Sequence, residues 1–118
     1  MTLRLALPTA LFLFGAACAD TNAINPTADN SSAAIRAAEE VGATHTPDAA
    51  LYLQLAKEQF EHARLLTDSK DKDRSDRLLL RAQADAELSL ALARSDNEKV
   101  EAQGAISKVK ALKETTVQ

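Results

Sequence analysis

The feature that most constrains this chain is a long run of helix-forming residues that begins near Asp73 and contains no glycine or proline up to Arg94. Its Ala, Leu, Arg, Gln and Glu residues are strong helix formers. Its apolar residues recur at steps of three and four, which is the spacing of one helix face and not of a strand. The pattern continues to Lys113, so the sequence predicts a long, coiled-coil-like helix over about 73–113.

Two apolar lines run along this predicted helix. The first line comprises Ala84, Leu88, Ala91, Ala102, Ala105, Val109 and Leu112. The second line, which widens the stripe, comprises Leu79, Ala82, Ala86, Leu90 and Ala93. The capping-box sequence at 95–98 leaves a break at Ser95 as the alternative, with a separate segment folding back. We expect a continuous helix because the stripe stays in register through these residues.

A second helix is predicted before the long one, over about 48–67. Thr46 suits the N-cap position and Pro47 suits the first helical position. The predicted apolar face comprises Ala49, Leu53, Ala56, Phe60, Ala63 and Thr67, flanked by Tyr52 and Leu66. Phe60 is expected to be the aromatic anchor of this face.

The connection between these two helices determines the predicted fold. Residues 68–72 are polar, and a connection of this length commonly joins antiparallel helices. The sequence therefore predicts an all-α protein whose main domain, over 46–114, is an antiparallel two-helix hairpin.

The region before the hairpin reads as a leader followed by a linker. Residues 1–17 combine one positive charge with an apolar run that is too short to span a bilayer, and are predicted to be a signal peptide. Residues 18–32 are rich in Asp, Thr, Asn and Ser, and this composition predicts a disordered tether. A short helix is predicted over 33–42, either docked or transient, with Gly42 as its stop.

Cys18 is the only cysteine, so it forms no disulfide within the chain. The tetrapeptide GAAC that ends at Cys18 resembles the lipobox of bacterial lipoproteins, with Gly15 where Leu is common. This resemblance implies acylation of Cys18 and, because Ala19 rather than Asp follows it, an outer-membrane lipoprotein facing the periplasm. The alternative is ordinary signal peptidase cleavage after Ala19, which would release a soluble periplasmic or secreted protein.

Two segments carry a further resemblance. LAKEQFEHARLL at 55–66 and DRLLLRAQADAELSLALAR at 76–94 resemble the DUF4398 family of bacterial lipoproteins. The resemblance covers about 46–112 and implies an envelope protein with a helical hairpin of undefined activity. Some relatives also carry peptidoglycan-binding OmpA-like domains, and this sequence contains none.

No constellation of reactive residues indicates an enzyme. The acidic residues of 68–76 alternate with Lys and Arg, unlike those of a calcium-binding loop. His45 and His62 have no partner at zinc-ligand spacing. A formal net charge of −3 without a separate basic tract argues against nucleic acid. We expect no catalytic residue, metal, cofactor or small-molecule substrate.

The expected function is that of a lipid-anchored structural or protein-interaction module. A helix of about 20 residues covers only half of one with about 40, so the distal half of the long helix would expose its apolar residues. The predicted interaction surface comprises Val100, Ala105, Ile106, Val109 and Leu112. We expect a homo-oligomer or a helical partner to cover it. The alternative is a soluble periplasmic binding or chaperone-like protein that holds a partner in an alanine-lined groove.

Overall fold

The computed structural model describes residues 25–67 and 71–116. Three α-helices occupy this part of the chain, and a short 3-10 turn joins the first two: α1, Pro26–Glu40; the turn, Ala43–His45; α2, Pro47–Thr67; α3, Lys72–Thr116. The predicted all-α class is confirmed. The predicted signal peptide, 1–17, and Cys18 lie outside the described residues.

α2 and α3 form the predicted antiparallel hairpin. Ser75, near the start of α3, donates a hydrogen bond to the carbonyl of Ala63 near the end of α2. Ser89, farther along α3, donates one to the carbonyl of Ala49 near the start of α2. α3 passes through Ser95 without a break, so the prediction of a continuous long helix is also confirmed.

α1 is longer than the short helix predicted over 33–42, and the tether predicted over 18–32 is wrong from Pro26 onward. The side chain of Asn25 caps the helix by accepting a hydrogen bond from the backbone N–H of Thr27 at 3.1 Å. Pro26 follows at the first helical position, where its missing N–H costs nothing. This Asn-Pro start signal was concealed by the polar composition around it.

α1 is docked, and it runs parallel to α3. At its start, Asn25 Nδ2 donates to Asp76 Oδ1 at 3.3 Å. At its other end, the carbonyl of Val41 accepts from Asn97 Nδ2 at 3.2 Å. The chain then turns at Gly42, whose φ of 83° lies in the left-handed region that glycine enters without strain. The predicted stop at Gly42 is confirmed.

The core consists of alanine together with one large aliphatic side chain from each helix. Ile35, Leu53 and Leu79 are 8%, 2% and 3% exposed. The other buried apolar residues are Ala38, Ala43, Ala49, Ala56, Ala63, Ala82, Ala86 and Ala93. Phe60, the predicted aromatic anchor, packs against this core but is only partly buried. Leu53 is the large buried residue that α2 contributes.

α3 buries one narrow face, which we call the inner seam. Its members follow a heptad spacing: Ser75, Leu79, Ala82, Ala86, Ser89 and Ala93. The inner seam consists of most of the second line plus two serines, whereas the first line is exposed throughout. The expected single wide stripe is therefore two separate faces. Small residues predominate on the buried one because only they let α1 and α2 approach the α3 backbone closely.

Three buried serines join the helices. Each donates its hydroxyl to a backbone carbonyl of a neighbouring helix: Ser31 to Leu79 at 2.7 Å, Ser75 to Ala63 at 2.9 Å and Ser89 to Ala49 at 2.7 Å. Because each hydroxyl has an acceptor, burying it leaves no unpaired polar group. The serines therefore fix the relative positions of helices whose alanine surfaces alone would specify them weakly.

Candidate interaction surface

The described chain leaves the end of α3 uncovered beyond Asn97. The last side-chain hydrogen bonds between described elements run from Asn97 to Val41 and from Thr46 Oγ1 to Asp96 Oδ2, the latter at 3.3 Å. Asp96 and Asn97 therefore bind the link between α1 and α2 instead of capping a new helix. Every residue of 98–116 is exposed. This free segment of roughly 19 residues is about 28 Å long.

Four of the five predicted interaction residues share one face of the free segment. At about 100° per residue, they fall within an arc of about 120°: Ala105, Ile106, Val109 and Leu112. The side chains of Ile106, Val109 and Leu112 are 56%, 50% and 67% exposed. Val100 is 61% exposed. It lies about 180° away from Val109 around the helix axis, so the structure separates it from the other four.

The same apolar face extends back over the hairpin. Leu80 and Leu88 are 58% and 41% exposed, and Ala84 and Ala91 are exposed between and beyond them. These residues lie on the side of α3 opposite the inner seam. On this side of α3, exposed apolar residues therefore form two stretches, about 80–91 and 102–112, which Ser95 and Glu98 separate. Ala84, Leu88 and Ala91 belong to the first apolar line of the sequence analysis, whereas Leu80 belongs to neither line.

Three arginines lie near the start of this face. Arg74, Arg77 and Arg81 line a shallow groove on α3 together with Leu78. Within 25–67 and 71–116, none of the three guanidinium groups forms an ion pair. Sequence reasoning missed this arginine groove, although the steps of three and four residues between the arginines were a readable signal.

The histidines of the described residues are not part of a metal-ligand cluster. His45 and His62 are exposed and belong to different elements, and no group of three His, Cys, Asp or Glu side chains there is placed to hold a metal ion. Gln59 donates to Asp85 at 2.6 Å and leaves its buried Oε1 without a partner. One orphan amide oxygen between two helices does not make a site.

None of the described helices combines the length with the apolar content that crossing a bilayer requires. The exposed face of α3 carries charged residues on both flanks, including Lys99, Glu101 and Lys108.

The chain matches the family model described as Domain of unknown function (DUF4398) over residues 26–105. The match begins at the first residue of α1, which the resemblance over 46–112 had left out. It ends within the free segment, so Ile106, Val109 and Leu112 lie beyond it. The suspected family is confirmed. No curated protein and no solved structure matches the chain.

Proposed function

Because the chain belongs to the DUF4398 family, whose function is undefined, we propose a role from its own geometry. The protein is a lipid-anchored protein of the cell envelope, held at the outer membrane on the periplasmic side, and it acts as a protein-interaction module. The observation that carries this proposal is the apolar face of α3 that the described chain leaves exposed. Monomeric soluble proteins rarely expose large apolar patches without a binding role.

In this proposal, the attachment point and the free segment lie at opposite ends of the domain. α1 starts beside Asp76, at the hairpin-turn end of α3. The roughly seven residues from Ala19 to Asn25 reach at most about 25 Å, so a lipid on Cys18 would hold this end close to a membrane. The free segment, 98–116, extends from the other end and stays accessible.

Lipid attachment supplies the membrane affinity in this proposal. Each buried CH₂ of an acyl chain contributes about 0.8 kcal/mol, so a multiply acylated Cys18 holds the protein at the bilayer. No step of catalysis is needed for the proposed role. The competing role, a soluble chaperone-like protein with an alanine-lined groove, has less support because the alanines of the helix faces, such as Ala56 and Ala86, are fully buried.

Metabolic labelling with palmitate tests the anchor. We expect the full chain to incorporate label and to fractionate with the outer membrane, and Cys18→Ala to lose both properties. A soluble product that begins at Asp20 would instead indicate cleavage after Ala19 and would contradict the anchor.

Site-specific photo-crosslinking in intact envelopes tests the interaction role. A photoreactive residue at Val109 should give a discrete adduct. The same residue at Val100, which is also exposed but lies on the opposite side of α3, is the matched control and should give none. Equal adducts from both positions, or none from either, would contradict an interaction surface on this face.

A further inference from the structure

We propose that the partner of this surface is a second copy of the chain, packed antiparallel along α3 as a two-stranded coiled coil. The inference rests on the proposed function, since it names the partner of that interaction module. It is carried by the spacing of the exposed residues and by the charges that flank them.

The exposed face of α3 has the repeat of a coiled-coil core. From residue 84 onward, alternating steps of four and three residues select what we call the outer seam: Ala84, Leu88, Ala91, Ser95, Glu98, Ala102, Ala105, Val109, Leu112 and Thr116. All ten are exposed. A sustained seven-residue repeat of this kind is the pattern that pairs two helices. Because the outer seam lies opposite the inner seam, a second α3 can cover it without displacing α1 or α2.

A parallel, in-register pair is disfavoured by charge. It would place Glu98 of the outer seam against the partner's Glu98. On the flanks, where residues five apart meet across a parallel pair, it would place Arg94 beside the partner's Lys99 and Lys108 beside the partner's Lys113. Each of these contacts joins like charges, and close like charges oppose association.

An antiparallel pair whose twofold axis passes between Asp96 and Asn97 avoids all of these like-charge contacts. Glu98 then lies opposite the partner's Ser95, whose hydroxyl can donate to the carboxylate. On the flanks, Arg94 meets the partner's Glu101, and Glu87 meets the partner's Lys108. Each contact occurs twice by symmetry. The polar layer at the centre lowers affinity but fixes the register, as polar core residues do in other coiled coils.

The same register also places the arginine groove against the C-terminal end of the partner's α3. It brings Thr116 opposite the partner's Arg77, and Leu112 opposite the partner's Arg81. The last turn of α3 carries carbonyl groups without an intrahelical partner and the negative end of the helix dipole. The guanidinium groups at the start of one α3 therefore meet the negative end of the other, while their aliphatic stems cover the apolar side chains there.

This arrangement is compatible with two anchors in one membrane. The residues at the two ends of α1 form hydrogen bonds with one flank of α3, at Asp76 and Asn97. α2 and the residue before it form hydrogen bonds with the other flank, at Asp85 and Asp96. A twofold axis perpendicular to the plane of the two α3 helices keeps both copies of α1 on the same side of that plane. Both tethers then face one membrane, and the dimer lies along its surface.

Disulfide trapping in the envelope tests orientation and register together. Two differently tagged full chains, one with Ala91→Cys and one with Ala102→Cys, are co-expressed and oxidised. Residues 91 and 102 face each other across the proposed antiparallel pair, whereas identical positions are about 16 Å apart, too far for a disulfide. We expect the mixed dimer between the two tags, and no disulfide between chains with the same tag.

Two further variants show that the trapped contact uses the outer seam. Val109→Asp should lower the mixed-disulfide fraction at least about tenfold, because it buries an unpaired carboxylate in the seam. Val100→Asp, the same change at an exposed valine on the opposite side, should leave the fraction unchanged. Disulfides only between identical positions would show a parallel pair and overturn the proposal, and so would the absence of any disulfide.

The two proposals fail separately in this design. The trap is run with Cys18 intact and with Cys18→Ser, alongside palmitate labelling. Label on Cys18 without the mixed disulfide rejects the dimer and leaves the anchor. The mixed disulfide without any label rejects the anchor and leaves the dimer.

Discussion

Replacing Leu53 by alanine tests the account of the core most directly. Leu53 is 2% exposed and is the large apolar residue that α2 buries against α1 and α3. The change removes three carbon atoms, worth about 0.8 kcal/mol each, and leaves a cavity among alanines that cannot extend to fill it. We expect the free energy of unfolding to fall by about 3 kcal/mol. For a domain of this size, the melting temperature should fall by about 12–24 °C.

The matched control is Leu51→Ala, the same change two residues away in the same helix. Leu51 is 55% exposed, so its truncation should alter the free energy of unfolding by no more than about 0.5 kcal/mol. Urea unfolding of otherwise identical chains, followed by circular dichroism, compares the two variants. Equal midpoints for the two variants would show that α2 does not bury the face described here.

Four further predictions test other parts of the molecule. Phe60→Ala should lower the free energy of unfolding less than Leu53→Ala because Phe60 is only partly buried, and a larger loss in the same urea assay would identify Phe60 as the main anchor of α2. Ser89→Ala should lower the free energy of unfolding by about 0.5–1.5 kcal/mol by removing one hydrogen bond between helices, and an unchanged midpoint would contradict this. Gly104→Ala should stabilise the free segment by about 0.5–1 kcal/mol, because alanine loses less backbone entropy in a helix and no other part of the described chain obstructs the added carbon; unchanged amide hydrogen exchange around residue 104 would argue against it. Ala19→Asp should retain the lipidated protein in the inner membrane. Recovery of this variant in the outer-membrane fraction, together with the unaltered chain, would contradict the proposed sorting.

The predicted surface residues show how far helical periodicity reaches. Ala105, Ile106, Val109 and Leu112 were identified from three- and four-residue steps, and the structure puts them on one exposed face. Val100 is predicted as part of the same surface, but it lies on the opposite side of the helix. A list of apolar residues does not give a face, whereas the angle of each residue about the helix axis does.

The sequence by itself determined the helical class, the hairpin and most helix ends. These properties depend on interactions within a few residues: strong helix formers along α3, Pro47 at the start of α2 and Gly42 after α1. The start of α1 at Asn25 and Pro26 was equally local, and it was overlooked because the surrounding composition is polar.

Only the tertiary structure decided which of the two apolar lines of α3 is buried. Both lines are built from Ala and Leu at helical spacing, so periodicity alone cannot rank them. The choice depends on close approach between helices far apart in sequence, where Ser75 and Ser89 donate to carbonyls of α2 and Ala86 leaves room for a neighbouring backbone. The distal part of the first line remains exposed for a separate reason, because α1 and α2 make no side-chain hydrogen bond to α3 beyond Asn97 and every residue of 98–116 is exposed.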